Sequence, residues 1–452
     1  MTVLDAMGPD GEYRTRRREL ITDVSGAPVV EMTVVPPLYV ARTVSAQRKA
    51  RPLSVAEREA ALTRAVEMFL SNEIAGLDFD HYVALTSRVS GLPIAVTRAG
   101  ARSVAEQLAS VCDSVRPAQP SGAARDWRQI RDGGAVWARR GEVFAVHASG
   151  NAPGVHGLWP QALALGYRVA VRPSRREPFT GQRLIAAMRE SGFRAEDVSY
   201  LPTDYTGADE IIGAADLAMV YGGQDVVDKY AGDPTVWVNG PGRAKILITA
   251  EQDWRDHLDL IVESICALGG TACVNTTAVL FEGDAAPLAE AIAERLSALE
   301  PLPITDERAL LPVMSTAAAQ SIAGFLGARA AGATALLGAD QVVADLGDGT
   351  AALRPAVHLL AAPDSARLNT ELPFPCVWVS PWSRDYGLEP FRGSLVINAV
   401  TDDERLIDEL VDDPTVSNVY SGRHPTWLRA AHIPHDGFLA DFLMRNKGFV
   451  RG

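Results

Sequence analysis

Short apolar runs alternate with stretches of helical periodicity through the middle of the chain. Residues 143–148, 168–171, 198–201, 217–220 and 245–248 read as buried strands. The loop SGNAPG follows the first, and a helix ending at Gly166 precedes the second. A helix from Thr180 closes at Gly192, with further helical segments near 209–214 and Gln224–Tyr230. Apolar strands alternating with helices predict parallel β-α-β units and a doubly wound sheet, which binds ligands at the carboxyl ends of its strands. Upstream, Ser54 with Glu57 three residues later predicts a capped helix over 54–72. The first 55 residues are charged and Pro-punctuated, with one strand-like run at 29–35. They form an extension, either on the substrate side or as an oligomer arm.

A second unit begins near residue 249. Trp254, Leu258, Ile261, Val262 and Ile265 share one helical face. Leu268-Gly269-Gly270 breaks that helix, and Thr276–Phe281 follows as a strand. The Ala-rich stretch 315–345 is expected to be helical. The predicted organisation is an extension (1–55), a first α/β domain (56–248), a second (249–399) and a tail (431–452).

Composition narrows the function. The chain of 452 residues is 47% hydrophobic and 22% charged, an ordinary globular balance. With 43 basic and 56 acidic side chains its net charge is −13, which lacks the basic footprint of a nucleic-acid binder. No run of about 18 uncharged apolar residues predicts a membrane span. The charged N-terminus does not read as a signal peptide. Cys112, Cys266, Cys273 and Cys376 form no CxxC pair or framework spacing, so a cytoplasmic protein with free thiols is expected.

Cys273 stands apart among them. The segment GGTACVNTTAVLF places it in a helix-to-strand turn of small residues. There a thiol has approach room, and nearby backbone N–H groups can face an oxyanion. Taken alone, the turn better suits a small buried residue. Cys266 shares the buried face of its helix with Val262 and Leu258, Cys376 lies in an apolar strand, and Cys112 ends a helical stretch; all three read as structural. Gly240-Pro-Gly242 is no dinucleotide fingerprint, and neither GxSxG nor GxxxxGK[ST] occurs. His432 and His435 without a third ligand make a poor metal site, so no metal is assigned. Asp436 could instead orient His435, in a tail that could reach a neighbouring subunit's cleft.

Six segments in order carry a family resemblance over roughly residues 60–420. They are RRGEVFAVHASGNAPG, VAVRPSRREP, MVYGGQDVV, WVNGPGRAKILI, GGTAC and ELPFPCVWVSPW. Together they resemble the aldehyde-dehydrogenase superfamily, with the nucleophile turn at Cys273 and the oxyanion amide at Asn151. The resemblance implies an α/β fold with a Rossmann-type cofactor domain, a second α/β catalytic domain and a small β oligomerisation element. It places cofactor contacts at Arg172, Ser174, Arg175, Gly222 and Gly223, with Glu371 on the nicotinamide ribose and Phe374 near the ring. It also implies a homodimer or homotetramer pairing through a hairpin at 124–142, and a return of 400–430 to the cofactor domain.

Two departures shape the expected activity. The family's general-base glutamate falls at Asn239, an amide that cannot take the proton of a hydrolytic water. This pattern resembles the acyl-CoA reductase branch, similar to the fatty-acid reductase of bacterial luminescence. At the ribose site, Arg175 replaces an acidic residue, with Arg172 and Arg176 nearby; guanidinium groups pair with a 2′-phosphate. The expectation is NADPH-dependent reduction of an acyl-CoA or acyl-carrier-protein thioester, with NADH possible. The alternatives are NAD(P)+-dependent aldehyde oxidation and a non-catalytic, partner-dependent subunit.

Overall fold

The computed structural model describes residues 2–451. Two seven-stranded sheets organise it. The first runs in the order 236–239, 217–221, 143–147, 168–172, 198–200, then 6–8 and 11–13. Its first five strands are parallel, as apolar runs joined by helices require. The order reverses between the 143–147 and 217–221 strands, which leaves a crevice beyond their carboxyl ends. The N-terminal segment is not a loose arm. Ala6–Gly8 and Gly11–Tyr13 extend this sheet antiparallel, and Thr2–Leu4, Arg18–Thr22 and Pro28–Thr33 make a small sheet of their own.

The helix predicted over 54–72 spans Val55–Ser71. Its Ser54 Oγ accepts from the Glu57 N–H, and the Glu57 carboxylate accepts from the Ser54 N–H at 2.8 Å. That reciprocal pairing satisfies two otherwise orphaned donors.

The second sheet runs 334–337, 356–359, 376–381, 276–281, 244–248, 396–400 and 418–421. Three expectations are corrected by it. Ala244–Ile248 is a central strand of this sheet; the fifth strand of the first is Val236–Asn239. The chain crosses between sheets at 240–243, where Pro241 lacks an N–H and Arg243 turns at φ 50°. Residues 400–430 stay with the catalytic sheet, because 396–400 and 418–421 pair there in parallel. The Ala-rich stretch is helical only over Thr316–Arg329. Gly332 and Gly338, both at positive φ, break it, and Thr334–Leu337 and Val343–Asp345 follow as strands.

The expected hairpin at 124–142 is also rearranged. A single helical turn, Trp127–Gln129, interrupts its first arm, and Gly133-Gly134, midway along the segment, open a strand. Gly133–Arg139 pairs along its length with Met444–Val450, so the C-terminal tail supplies the missing partner. Among the described residues, no helix is long and apolar enough to cross a membrane.

Candidate active site

The turn carrying Cys273 is over-determined. Leu268, Gly269 and Gly270 all take left-handed φ, which ends the helix Leu258–Cys266 and reverses the chain. A Cβ at Gly270 would lie 2.5 Å from the Pro375 backbone, so only glycine fits. Asn275 then ties the turn from inside. Its Oδ1 accepts from Ala272 N at 2.8 Å, and its Nδ2 donates to the Ala267 carbonyl at 2.7 Å. From the other side, Gly242 presses on the Cys273 carbonyl so closely that any Cβ would collide with it.

The decisive contact comes from the tail. His435 Nε2 lies 3.4 Å from Cys273 Sγ, and His435 Nδ1 meets Asp436 Oδ2 at 2.7 Å. The order thiol, imidazole, carboxylate is the one that activates nucleophiles in general: a base within reach and a third group orienting it. Asn418 fixes the segment by donating to the His435 carbonyl, and Gly437 lets it pass tightly against Trp237. The expectation that this tail reaches a neighbouring subunit is not needed for the contact, which lies within one chain.

Burial opposes charge on His435. The negative charge of Cys273 and the Asp436 carboxylate outweigh that cost and push it up to about 10.

Cys273 and His435 line a cavity of about 500 Å³. Its wall is mostly apolar, with Val155, Leu158, Leu268, Trp427, Ile433 and Phe438 among the lining residues. Asn151 lines it too. Its Nδ2 donates to the Thr271 carbonyl at 3.2 Å, and its Oδ1 accepts from Ser149 Oγ at 2.7 Å, which fixes which end of the amide is the donor side. One Nδ2 hydrogen remains for an oxyanion formed at the nucleophile. Asn151→Ala is expected to lower kcat by about 100- to 1,000-fold, the usual loss for one oxyanion donor. Steady-state kinetics on an aldehyde turned over by the wild type would measure it; an unchanged kcat would remove Asn151 from this role.

The aldehyde dehydrogenase family profile matches residues 37–386. The chain belongs to the aldehyde dehydrogenase family. It is therefore an oxidoreductase acting on aldehydes with NAD(P). A sequence search of curated proteins finds no match. Among solved structures, the chain is similar to a 3,6-anhydro-L-galactose dehydrogenase at TM-score 0.82 and 16% identity, with 100% of each chain covered. It is similar to aldehyde dehydrogenase 21 from Physcomitrella patens at TM-score 0.81 and 15% identity, covering 100% of this chain and 98% of that one. An indole-3-acetaldehyde dehydrogenase in complex with NAD+ aligns at TM-score 0.80 and 16% identity, over 99% and 97% of the two chains.

For an aldehyde dehydrogenase, the crevice at the strand-order reversal is where the dinucleotide belongs. The residues there fit such a group. His147 Nε2, Arg172 Nε and both amide atoms of Asn239 are buried without a hydrogen-bond partner, and all three residues end parallel strands of the first sheet. Polar atoms buried in this way normally have a partner. Gly222 closes the 217–221 strand, with its N–H on the Asn239 carbonyl, and Gly223 opens the helix Gln224–Tyr230. Ser174 Oγ accepts from Arg176 N and sits 2.3 Å from where a Gly150 Cβ would be, so the loop after the 168–172 strand and the Asn151 loop are packed together.

The remaining sequence candidates are placed differently. Glu371 is turned inward: its carboxylate accepts from Gly242 N and Arg243 N, at 2.8 to 3.2 Å, and so holds the turn that presses on Cys273. Burial pushes it upward from the ordinary carboxylate range. Phe374 is buried beneath Gly270. Arg175 is ion-paired with Glu19 at 2.9 Å.

Proposed function

We propose that Cys273 carries an acyl group between a thiol and the nicotinamide, so that the enzyme reduces an acyl thioester, of CoA or an acyl carrier protein, to an aldehyde. The observation that carries this reading is the imidazole of His435 at 3.4 Å from Sγ. It supplies an acid for a departing thiol, whereas Asn239, at the family's general-base position, has no carboxylate to offer a water. The apolar cavity beside the sulfur suits an aliphatic or aromatic acyl group.

The steps then follow from the chain's own groups. Sγ bonds to the carbonyl carbon while the Asn151 amide and the Cys273 N–H hold the oxyanion. The bond to the donor sulfur breaks, and His435 gives its proton to the leaving thiolate. The acylated sulfur is now uncharged, so one cause of the raised His435 is gone and the imidazole is held less strongly in its protonated form. A reduced nicotinamide held in the crevice would supply the hydride that the acyl carbon needs to reach the aldehyde level. The carbon–Sγ bond then breaks, the aldehyde leaves, the sulfur regains its charge, and His435 takes up one proton from solvent. The net change consumes one thioester, one NAD(P)H and one proton. It yields one aldehyde, one thiol and one NAD(P)+. NADPH is the favoured cofactor, since Arg172 and Arg176 add positive charge to Arg175 at the ribose end.

Family membership favours a second reading, oxidation of an aldehyde to an acid. In that case the same acyl-enzyme forms from an aldehyde whose hydride an oxidised NAD(P)+ would accept, and neutral His435 deprotonates the water that releases the acid. The strands Gly133–Arg139 and Met444–Val450 are the proposed pairing element of a homodimer or homotetramer. Intact-mass spectrometry separates the two readings. An acyl-CoA panel without cofactor is expected to leave an adduct on Cys273 that persists, then disappears with aldehyde formation when NADPH is added. Absence of any adduct, or its rapid hydrolysis before cofactor is added, would displace the thioester reading.

A further inference from the structure

The N-terminal sheet brings a carboxylate to the ribose end of the cleft. Glu19, on the strand Arg18–Thr22, meets Arg175 Nε with Oε2 at 2.9 Å, both groups being partly exposed. Arg175 follows the strand Arg168–Arg172 by three residues, in the loop the family uses for the cofactor ribose. Arg172 is half-buried beside it, its guanidinium 5.9 Å from the ring of Tyr205, which is itself highly exposed. Glu19 thus shares the space of the two guanidinium groups.

We propose that Glu19 is a cofactor-specificity residue: bound to Arg175, it stands in for the acidic side chain missing at position 175 and weakens recognition of a 2′-phosphate. A 2′-phosphate must displace the carboxylate to gain Arg175 and then lie near a negative charge. A free 2′-hydroxyl faces no such competition and finds an acceptor. The remaining cations keep the site receptive to phosphate, so the two cofactors are discriminated less sharply than the arginines alone would dictate. This inference rests on the dinucleotide reading of the crevice.

The strand is positioned by contacts that Glu19 does not make. Arg17 pairs with Asp204 at 2.7 Å, Val35 N donates to the Pro202 carbonyl at 2.9 Å, and Thr203 Oγ1 donates to the Val35 carbonyl at 2.8 Å. Removing the Glu19 charge should therefore leave the sheet in place.

Calorimetric titration of the full chain with 2′,5′-ADP and with 5′-ADP tests this without turnover. Glu19→Gln is expected to bind 2′,5′-ADP about tenfold more tightly, the scale of one charge-assisted hydrogen bond. Its affinity for 5′-ADP should hold or fall. Adding Arg175→Gln should remove the gain. Glu19→Asp, which keeps the charge but falls short of Arg175, should shift the ratio in the same direction, and it serves if the glutamine variant folds poorly. A wild-type protein that binds neither probe would overturn the dinucleotide reading and this inference together. Binding of both with a ratio unmoved by Glu19→Gln would overturn the inference alone.

Discussion

Cys273→Ala is expected to abolish turnover, lowering kcat by on the order of a million-fold, the loss seen when a covalent nucleophile is removed. No other thiol can replace it. Burial pushes Cys266 and Cys376 up to about 12, and neither lines the cavity. Burial also raises Cys112, which packs against the core of the first domain, away from the cavity wall. The substitution removes a half-buried sulfur from a turn held by Asn275, Gly242 and the glycines before it, so the fold should survive. The variant should bind 5′-ADP like the wild type and form no acyl adduct by intact mass. Adduct formation or measurable turnover in Cys273→Ala would place the covalent chemistry elsewhere.

Local pattern carried most of the fold. The parallel strands of the first sheet are short apolar runs with helices between them, and each such run folds as its composition dictates. Ser54 and Glu57 predict a capping box because both halves lie within four residues. The differences arose where distant partners decide the outcome. Gly133–Arg139 reads as half of a local hairpin, yet its partner is at 444–450, about as far along the chain as the sequence permits. Nothing near residue 133 encodes that choice. Ala244–Ile248 is equally apolar in either sheet; Pro241 and the left-handed Arg243 set which one it joins.

The candidate site divides in the same way. Cys273, Asn151 and the glycines around them were legible because each sits in a turn whose small residues leave a signature. Asn275 was missed, although its signal is local: a buried amide two residues after the nucleophile, bonded to both sides of the turn. His435 and Asp436 were visible as a pair that could orient each other. Their approach to a thiol 162 residues away depends on Asn418, Gly437 and the whole second sheet. Glu371 shows the converse case, since its motif reads as a ligand for the cofactor while its carboxylate supports the turn behind Cys273.

His435→Asn should lower kcat by about 100- to 10,000-fold, the range typical for a positioned acid–base group. Its pH dependence distinguishes catalysis from support. In the native arrangement burial disfavours the imidazolium, but the charge on Cys273 and the bond to Asp436 win and push His435 up to about 10. A base raised above its ordinary value keeps its proton throughout the neutral range. The favourable arrangement is complete below about pH 6.5 and is lost as pH rises through about 10. Wild-type kcat/KM should therefore carry an alkaline limb near that value, and His435→Asn should lack it. Asp436→Asn removes one of the raising causes while leaving the imidazole, so its limb should move to lower pH with a smaller loss of rate. Cys273→Ala removes another, and an NMR titration of His435 should then show a lower value than in the wild type. A histidine that only braces the tail would lower the melting temperature on substitution and leave the alkaline limb where it was. The shift of that limb with Asp436, together with its disappearance with His435, is what an acid working on the Cys273 sulfur requires.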